Sequence, residues 1–404
     1  MKQSSRVVRF DRVLLMAVMT LVALGLVMVY SASAITAQEK LGDGFYYLKR
    51  QAAAAGLGLL AMTLALRIGY RRLARLVYPL LVCVLVLLVV VLLPAVGTTV
   101  GGARRWIRLL GFSIQPAEIA KLAWVLYLAY SLAKKRERVA LFSVGFLPHL
   151  LMAGVLVALC MAEPDFGSSV AIVFLLFILL FAAGTRLSYL VGSVLLAMPV
   201  AYRAIASSSY RKKRILAFLD PWAHRHDAGY QVAESLMSIG SGGLLGLGLG
   251  DGRQKLFFLP EAHTDFVFSI IGEELGLVGV AVVLGLYAVV IWRGVRASLQ
   301  ASEPFGTYVG FGVTCLIGFQ AVVNIFVAMG LLPTKGLTLP FISYGGTSLI
   351  VMMGAAGILL SLSVREENTV AATERLGIKA RRRPAGSFAS RALRGPRLAN
   401  EAEG

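Results

Sequence analysis

Charge is what this sequence has least of. Only 15% of its 404 residues are Asp, Glu, Lys or Arg, 58% are hydrophobic, and mean hydropathy is +0.77. An ordinary soluble domain carries about 25% charged residues, so this balance argues against a cytosolic globular enzyme. Cysteine is scarce too. Cys83, Cys160 and Cys315 all fall inside apolar stretches, which leaves neither a disulfide frame nor a metal-ligand spacing and speaks against redox chemistry. No G-x-x-x-x-G-K-[ST] loop occurs, which argues against ATP-driven transport by this chain alone, and there is no H-E-x-x-H and no nucleophile elbow with a partner set. The stretch Gly246-Leu247-Gly248-Leu249-Gly250-Asp251 lacks the third glycine of a dinucleotide fingerprint and follows no strand. Its glycines read instead as close packing of a re-entrant or surface helix.

What the chain does have is long charge-free runs, and a bilayer-spanning helix needs about 20 mostly apolar residues. The pattern predicts an all-α polytopic membrane protein with ten spans, at about 13–35, 50–67, 76–94, 115–133, 142–162, 168–184, 187–206, 265–291, 306–329 and 346–364. Residues 1–12 precede this membrane domain, and a basic, polar tail (365–404) follows it. That tail, with Arg381-Arg382-Arg383-Pro384, reads as solvated, disordered and in contact with anionic lipid. Ser31-Ala32-Ser33-Ala34 resembles a signal-peptidase site. The apolar run before it exceeds the 7–15 residues of a signal h-region, so the first span is read as uncleaved.

The formal charge of +19 sits in short clusters between spans rather than on a duplex-binding face, so nucleic acid is not an expected partner. Fifteen Lys and Arg fall on one side, from Lys2 and Arg67 to Arg186 and Arg296. Seven fall on the other: Lys40, Lys49, Arg50, Arg104, Arg105, Arg108 and Lys335. The positive-inside rule then places both termini in the cytoplasm. Two connections are long, and both lie outside: Ala95–Ile114, with Gly101-Gly102-Ala103-Arg104-Arg105-Trp106, and about 207–264 between spans 7 and 8. Loops of that length are usually functional or disordered, and the aromatic and apolar content of the second argues against disorder.

Ionisable residues inside spans are costly and therefore candidates. Glu118 and Lys121 share one face of the fourth span. They read either as a self-satisfying ion pair or as the border of an outward-open polar cavity, the carboxylate orienting a cation for a substrate phosphate. Glu273 and Glu274, two turns into the eighth span, read first as hydrogen-bonding partners of neighbouring helices. Asp265 opens that span, where a carboxylate can simply cap the helix. Yet Glu261, His263 and Asp265 crowd within five residues at the membrane surface, an arrangement suited to a general base acting on a lipid-borne hydroxyl. Arg104, Arg105, Arg108 and Lys335 run against the topology bias, as a site for an anionic lipid head group would require.

Taken together the motifs resemble those of the SEDS family of shape, elongation, division and sporulation proteins. The resemblance rests on Gly102-Ala103-Arg104-Arg105-Trp106-Ile107 followed by Ile114-Gln115-Pro116-Ala117-Glu118-Ile119-Ala120-Lys121-Leu122, and on Glu163-Pro164-Asp165-Phe166-Gly167. Gly229-Tyr230-Gln231, the run from Lys255 to Phe266 and Pro340-Phe341-Ile342-Ser343-Tyr344-Gly345-Gly346 extend it in family order from about 10 to 365. The runs Leu332–Pro340 and Pro260–Phe266 are similar to the cell-division branch.

This resemblance implies a ten-span peptidoglycan glycosyltransferase of the inner membrane at the division septum. Such an enzyme polymerises lipid II with release of undecaprenyl pyrophosphate, alongside a class B penicillin-binding protein and other divisome membrane proteins. By carry-over Asp265 is the catalytic residue. Arg105, Glu118, Lys121, Glu261, His263, Lys335 and Ser343 are expected at the substrate. No resident metal is expected from the residues, although a divalent cation (Mg or Mn) is an admissible helper beside Arg105 and Lys335. Arg108 departs from the family pattern, where many relatives carry proline or an acidic residue. A lipid II flippase and a divisome scaffold recruiting the transpeptidase stay open as alternatives.

Overall fold

The computed structural model describes residues 10–100, 102–109, 112–206, 216–226, 229–253, 262–334 and 336–364. Its helices are α1 (Arg12–Leu41), α2 (Tyr46–Ile68), α3 (Val77–Leu92), α4 (Pro116–Lys135), α5 (Leu147–Ala162), α6 (Phe166–Ala182), α7 (Leu187–Ala206), α8 (Tyr230–Ser241), α9 (Val267–Leu299), α10 (Pro304–Ala328) and α11 (Gly346–Leu362). All but α8 coincide with the expected spans. Among the described residues six helices are long and apolar enough to cross a membrane: α1, α2, α9 and α10, and α3 and α5 with the turns that lead into them. The apolar helices α6, α11 and the first part of α7 are shorter. The tenth, α4, carries the Glu118 and Lys121 charges. At 1.5 Å per residue the 17 residues of α6 span about 26 Å, close to a hydrocarbon core. Outward faces carry exposed Val82, Leu151, Leu196 and Val282, the surface that lipid covers. The chain is a multi-pass membrane protein.

Two features go beyond the expected helices. The 95–114 connection folds into a three-stranded antiparallel sheet, β1 (Gly97–Val100), β2 (Ala103–Leu109) and β3 (Phe112–Ile114), with Thr98 opposite Trp106 and Ile107 opposite Ile114. Short strands with exposed polar residues give a weak signal beside the spans. Thr347 of α11 pins the sheet: its hydroxyl donates to Ser113 O at 2.9 Å and accepts from Gln115 N–H at 3.1 Å.

The second is α8, inside the connection read as a loop. It packs on α9, with the Ser235 hydroxyl donating to Ala328 O at 2.6 Å and Ser238 to Glu273 Oε2 at 3.1 Å. The glycines after it have a structural use. Helix α9 breaks at Gly276 (φ 63°, ψ −161°), freeing main-chain groups that cannot stay unpaired at membrane depth. Leu247 and Gly248 N–H donate to Glu273 and Glu274 O at 3.0 and 3.1 Å, while Leu277 and Val278 N–H donate to Gly243 and Leu244 O at 3.0 and 3.2 Å. A Cβ on Gly246 would sit 2.2 Å from Glu274 O, so the approach needs glycine. The expected close packing is present, as a turn seated on a helix break.

Chain order assigns the ends of the bundle. Successive spans alternate in direction, so the α1–α2, α3–α4, α5–α6, α7–α9 and α10–α11 connections all lie at one end. At the opposite end Asp11 caps α1, accepting from Val13 and Leu14 N–H at 3.0 Å. It also pairs with Arg293 Nε of α9 at 2.6 Å, and its own N–H donates to Ser363 Oγ at 3.0 Å. Burial pushes the Asp11 carboxyl up, but the Arg293 guanidinium and the Leu14 and Val13 N–H groups outweigh it and hold it below the usual value of 3.8. This contribution is present above the ordinary carboxylate pKa and is lost as pH falls through the lower folded value. Asp11→Ala, which loses cap and ion pair together, is expected to cost about 1–2 kcal/mol. In detergent the variant should melt a few degrees below the native chain at pH 7, and the gap should close in acid.

Candidate active site

Three connections at the first end converge. Gly336 marks the point: a Cβ built on it would lie 3.5 Å from Asp265 Oδ2 and 3.9 Å from Arg105 Nη1. A carboxylate from the mouth of α9 and a guanidinium from β2 thus face one small space, kept open because position 336 has no side chain. Asp265 is half-buried. The N-cap position of α9 falls on Phe266, one residue after Asp265, and makes no side-chain cap bond.

The polypeptide is held there by α10. Asn324, 1% exposed, donates from Nδ2 to Asp265 O at 2.9 Å and to Leu337 O at 2.7 Å. A carboxamide nitrogen has two protons, and here both are used to join the two connections. The α10–α11 connection is fixed further on. Gln51 of α2 donates to Ser343 O at 3.0 Å and accepts from Gly345 N–H at 3.3 Å, and the Tyr287 hydroxyl donates to Pro340 O. Gly25 of α1 leaves room for the main chain of Phe341 and Ile342, against which a Cβ would come within 2.6 Å.

The other expected residues divide. Arg104 and Arg105 part on β2, where the pairing with β1 shifts register between Thr98 and Thr99 and leaves Arg105 as the extra residue. Arg104 donates to Leu92 O at 3.2 Å and so caps the C-terminus of α3. Arg108 lines a separate cavity of about 330 Å³ with Tyr46, Arg50 and Ser113. His263 sits in an aromatic cluster, its ring centroid 4.6 Å from Tyr47 and 5.5 Å from Tyr344, and its carbonyl accepts from Tyr344 N–H at 2.9 Å. The Ser343 hydroxyl accepts from Leu339 N–H at 2.9 Å and is used inside its own turn. Glu261 and Lys335 lie outside the described residues. Glu273 and Glu274 are structural: Glu273 Oε1 accepts from Arg253 N–H at 2.7 Å, and Glu274 accepts from Ser31 of α1 at 2.7 Å.

Lys121 is fully buried and its Nζ lies 2.7 Å from Glu118 Oε1, so the pair exists, but Glu118 Oε2 is buried with no protein partner. The Lys121 charge also acts on Cys160 at the end of α5, as do those of Glu163 and Asp165 in the turn that follows. That turn supplies site residues that the sequence motif contained without revealing their role. Asp165 caps α6 through Ser168 N–H at 3.0 Å, and it accepts from Ser168 Oγ at 2.7 Å and Gln115 Nε2 at 3.1 Å. Glu163 is fully buried and both its oxygens lack a partner. Burial pushes its carboxyl up to about 8, Asp165 adds to the rise, and Arg105 opposes it. Two acids two positions apart in sequence between apolar spans were the available signal. Among the described residues no group of three or more His, Cys, Asp or Glu could hold a metal ion.

The family model FTSW_RODA_SPOVE, cell cycle protein, matches residues 11–368. The chain belongs to this family, the SEDS proteins. It is 48% identical over 361 residues to the "Probable peptidoglycan glycosyltransferase FtsW" of Geobacter metallireducens, covering 89% of this chain and 96% of the relative. It is 40% identical over 353 residues to the stage V sporulation protein E of Bacillus subtilis, covering 87% and 96%. Among solved structures it resembles a chain from a study of how a peptidoglycan synthase complex coordinates polymerization and crosslinking (TM-score 0.74, 33% identity, 88% of this chain and 97% of that one). It also resembles the rod shape determining protein RodA of Thermus thermophilus (TM-score 0.65, 32% identity, 88% and 96%).

The space over Gly336 is testable. Gly336→Ala places a methyl at ordinary contact distance from both charges and should fold and retain activity. Gly336→Leu fills the space and should lower turnover by about 10²-fold at an unchanged melting temperature. Equal turnover of the two variants would contradict the placement.

Proposed function

We propose that this chain is a peptidoglycan glycosyltransferase that polymerises lipid II. The observation that carries the reading is the convergence of the Asp265 carboxylate and the Arg105 guanidinium on Gly336. Glycosyl transfer from a lipid pyrophosphate asks for a base at the acceptor hydroxyl and positive charge where the leaving group develops its own. Asp265 takes the proton from the 4-hydroxyl of the acceptor sugar as that oxygen attacks the anomeric carbon of the donor. The bond to undecaprenyl pyrophosphate breaks, and Arg105, with Lys335 beside Gly336 in sequence, offsets the charge. One displacement inverts α to β. The leaving group is already good, so the second carboxylate of a glycoside hydrolase is not required.

The same reading places the site end outside the inner membrane, both termini in the cytoplasm, the enzyme at the division septum, and a class B penicillin-binding protein with other divisome proteins beside it. Support comes from the positive charge gathered at the other end of the bundle and from the relatives' names. In this reading Glu118, Lys121 and His263 contribute to holding the substrate. The flippase reading asks for comparable polar groups toward the opposite end. Of the described ion pairs there, Asp11 and Arg293 are spent on helix ends, and Arg71 and Glu303 pair at the exposed surface.

The test is polymerisation of lipid II by the purified chain with its transpeptidase, penicillin being present to stop crosslinking. Wild type is expected to yield glycan ladders, and Asp265→Ala to lose about 10²–10⁴-fold in turnover at equal folding. No ladders from wild type, or ladders from both, would overturn the assignment; the second result would favour a scaffold.

A further inference from the structure

Between α5 and α6 two acids stand two positions apart in opposite circumstances. Asp165 accepts three hydrogen bonds from Ser168 and Gln115. Glu163 has none: it is fully buried, and neither carboxyl oxygen meets a donor or acceptor. A buried carboxylate with no partner is one of the most costly groups a protein can hold, and it holds a proton instead. When the environments of two neighbouring acids diverge in this way, one is kept as the anion and the other as the neutral acid. The charged and titratable groups around Glu163 come from several elements. Cys160 precedes it on α5, Asp165 follows it, and the Arg105 charge on β2 acts on it. The Lys121 charge on α4, with Glu118 bound to it, acts on Cys160, and Asp265 and Arg105 both approach Gly336.

Arg105 completes the observation. Its Nε is buried with no partner, and among the described residues it pairs with no carboxylate. We propose that Glu163 is a positioning residue for the substrate's pyrophosphate: as a neutral acid it leaves the Arg105 guanidinium to the phosphate oxygens, and as an anion it takes that guanidinium for itself. The proposal rests on the reading of Arg105 as the phosphate partner. It makes donor binding, rather than the proton transfer at Asp265, the step that responds to alkaline pH. Its onset is set by the Glu163 carboxyl, which burial and Asp165 push up to about 8.

The experiment is steady-state lipid II polymerisation by the full chain with its transpeptidase, between about pH 6.5 and 9.5. The wild-type KM for lipid II should rise roughly tenfold from pH 7 to pH 9 while kcat changes little, because only the protonated fraction binds. Glu163→Gln, a neutral isostere, should match the native KM at pH 7 within about twofold and show no rise. A rise that persists in Glu163→Gln, or a loss at pH 7 as large as that of Glu163→Ala, would overturn the proposal. Arg105→Ala separates the two readings. An unchanged KM in that variant overturns the phosphate role of Arg105, whereas a raised KM beside a pH-independent wild type overturns the role of Glu163 alone. Melting gives a readout free of activity: a raised folded pKa costs stability as pH climbs from about 4.5 toward 8. Glu163→Gln should therefore melt above the native chain at pH 8 and with it at pH 5, and equal melting at both would contradict a neutral Glu163.

Discussion

Two hydrogen bonds from one buried carboxamide hold the site together. Asp265 lies just before α9 and Gly336 between α10 and α11, and neither sits on a regular element. Asn324 donates to the carbonyl before α9 and to the carbonyl after Gly336, at 2.9 and 2.7 Å. A typical net hydrogen bond contributes about 1 kcal/mol, but the consequence here is geometric. The course of the chain at Asp265 and the space beside it are set by the same side chain, on a long helix whose own position is fixed by packing against α4, α9 and α11. Arg105 reaches that space from a small sheet which Thr347 anchors to α11. The reacting end therefore inherits the rigidity of the bundle, although Asp265 and Gly336 sit on loops and Arg105 on a short strand.

The membrane explains the rest of the polar interior. Main-chain and carboxylate groups at that depth need partners from the protein. The break of α9 at Gly276 is closed by the turn Gly242–Gly248, and Glu273 and Glu274 are used by Ser238, Arg253 and Ser31. Against that background of satisfied groups, Glu163 and the second oxygen of Glu118 stand apart as buried acids with unfilled capacity. Both lie on the side of the site occupied by α4, α5 and their neighbouring turns.

Much of this was legible in the residues. Charge-free runs marked the spans because lipid tolerates little else, and the alternation of ten spans placed Arg105, Asp265 and Gly336 at one end without any coordinates. Asp265 stood out by its company of Glu261 and His263. The roles of the arginines were legible only through the family resemblance, which singled out Arg105. By residue chemistry alone Arg104, Arg105 and Arg108 look equivalent, yet the folded strand sends them to a helix end, the site and a cavity beside Tyr46 and Arg50. The sheet itself was hidden, because strands of three to seven residues barely register beside spans of twenty. Asn324 was hidden for a different reason: a single polar residue in an apolar helix says that it has a partner, not which one. The same is true of Glu163, whose missing partners appear only once burial is known.

The central claim is tested most directly by the turnover of Asn324→Leu, in which Asp265 and Arg105 are intact and only the bridge between the Asp265 and Gly336 connections is gone. If the bridge sets the geometry, turnover should fall by about 10²-fold, as misplacement of about 1 Å can produce, while the variant still folds. Native turnover in that variant would show that Asp265 and Gly336 hold their places without Asn324, and would contradict the dependence of the site on that one carboxamide.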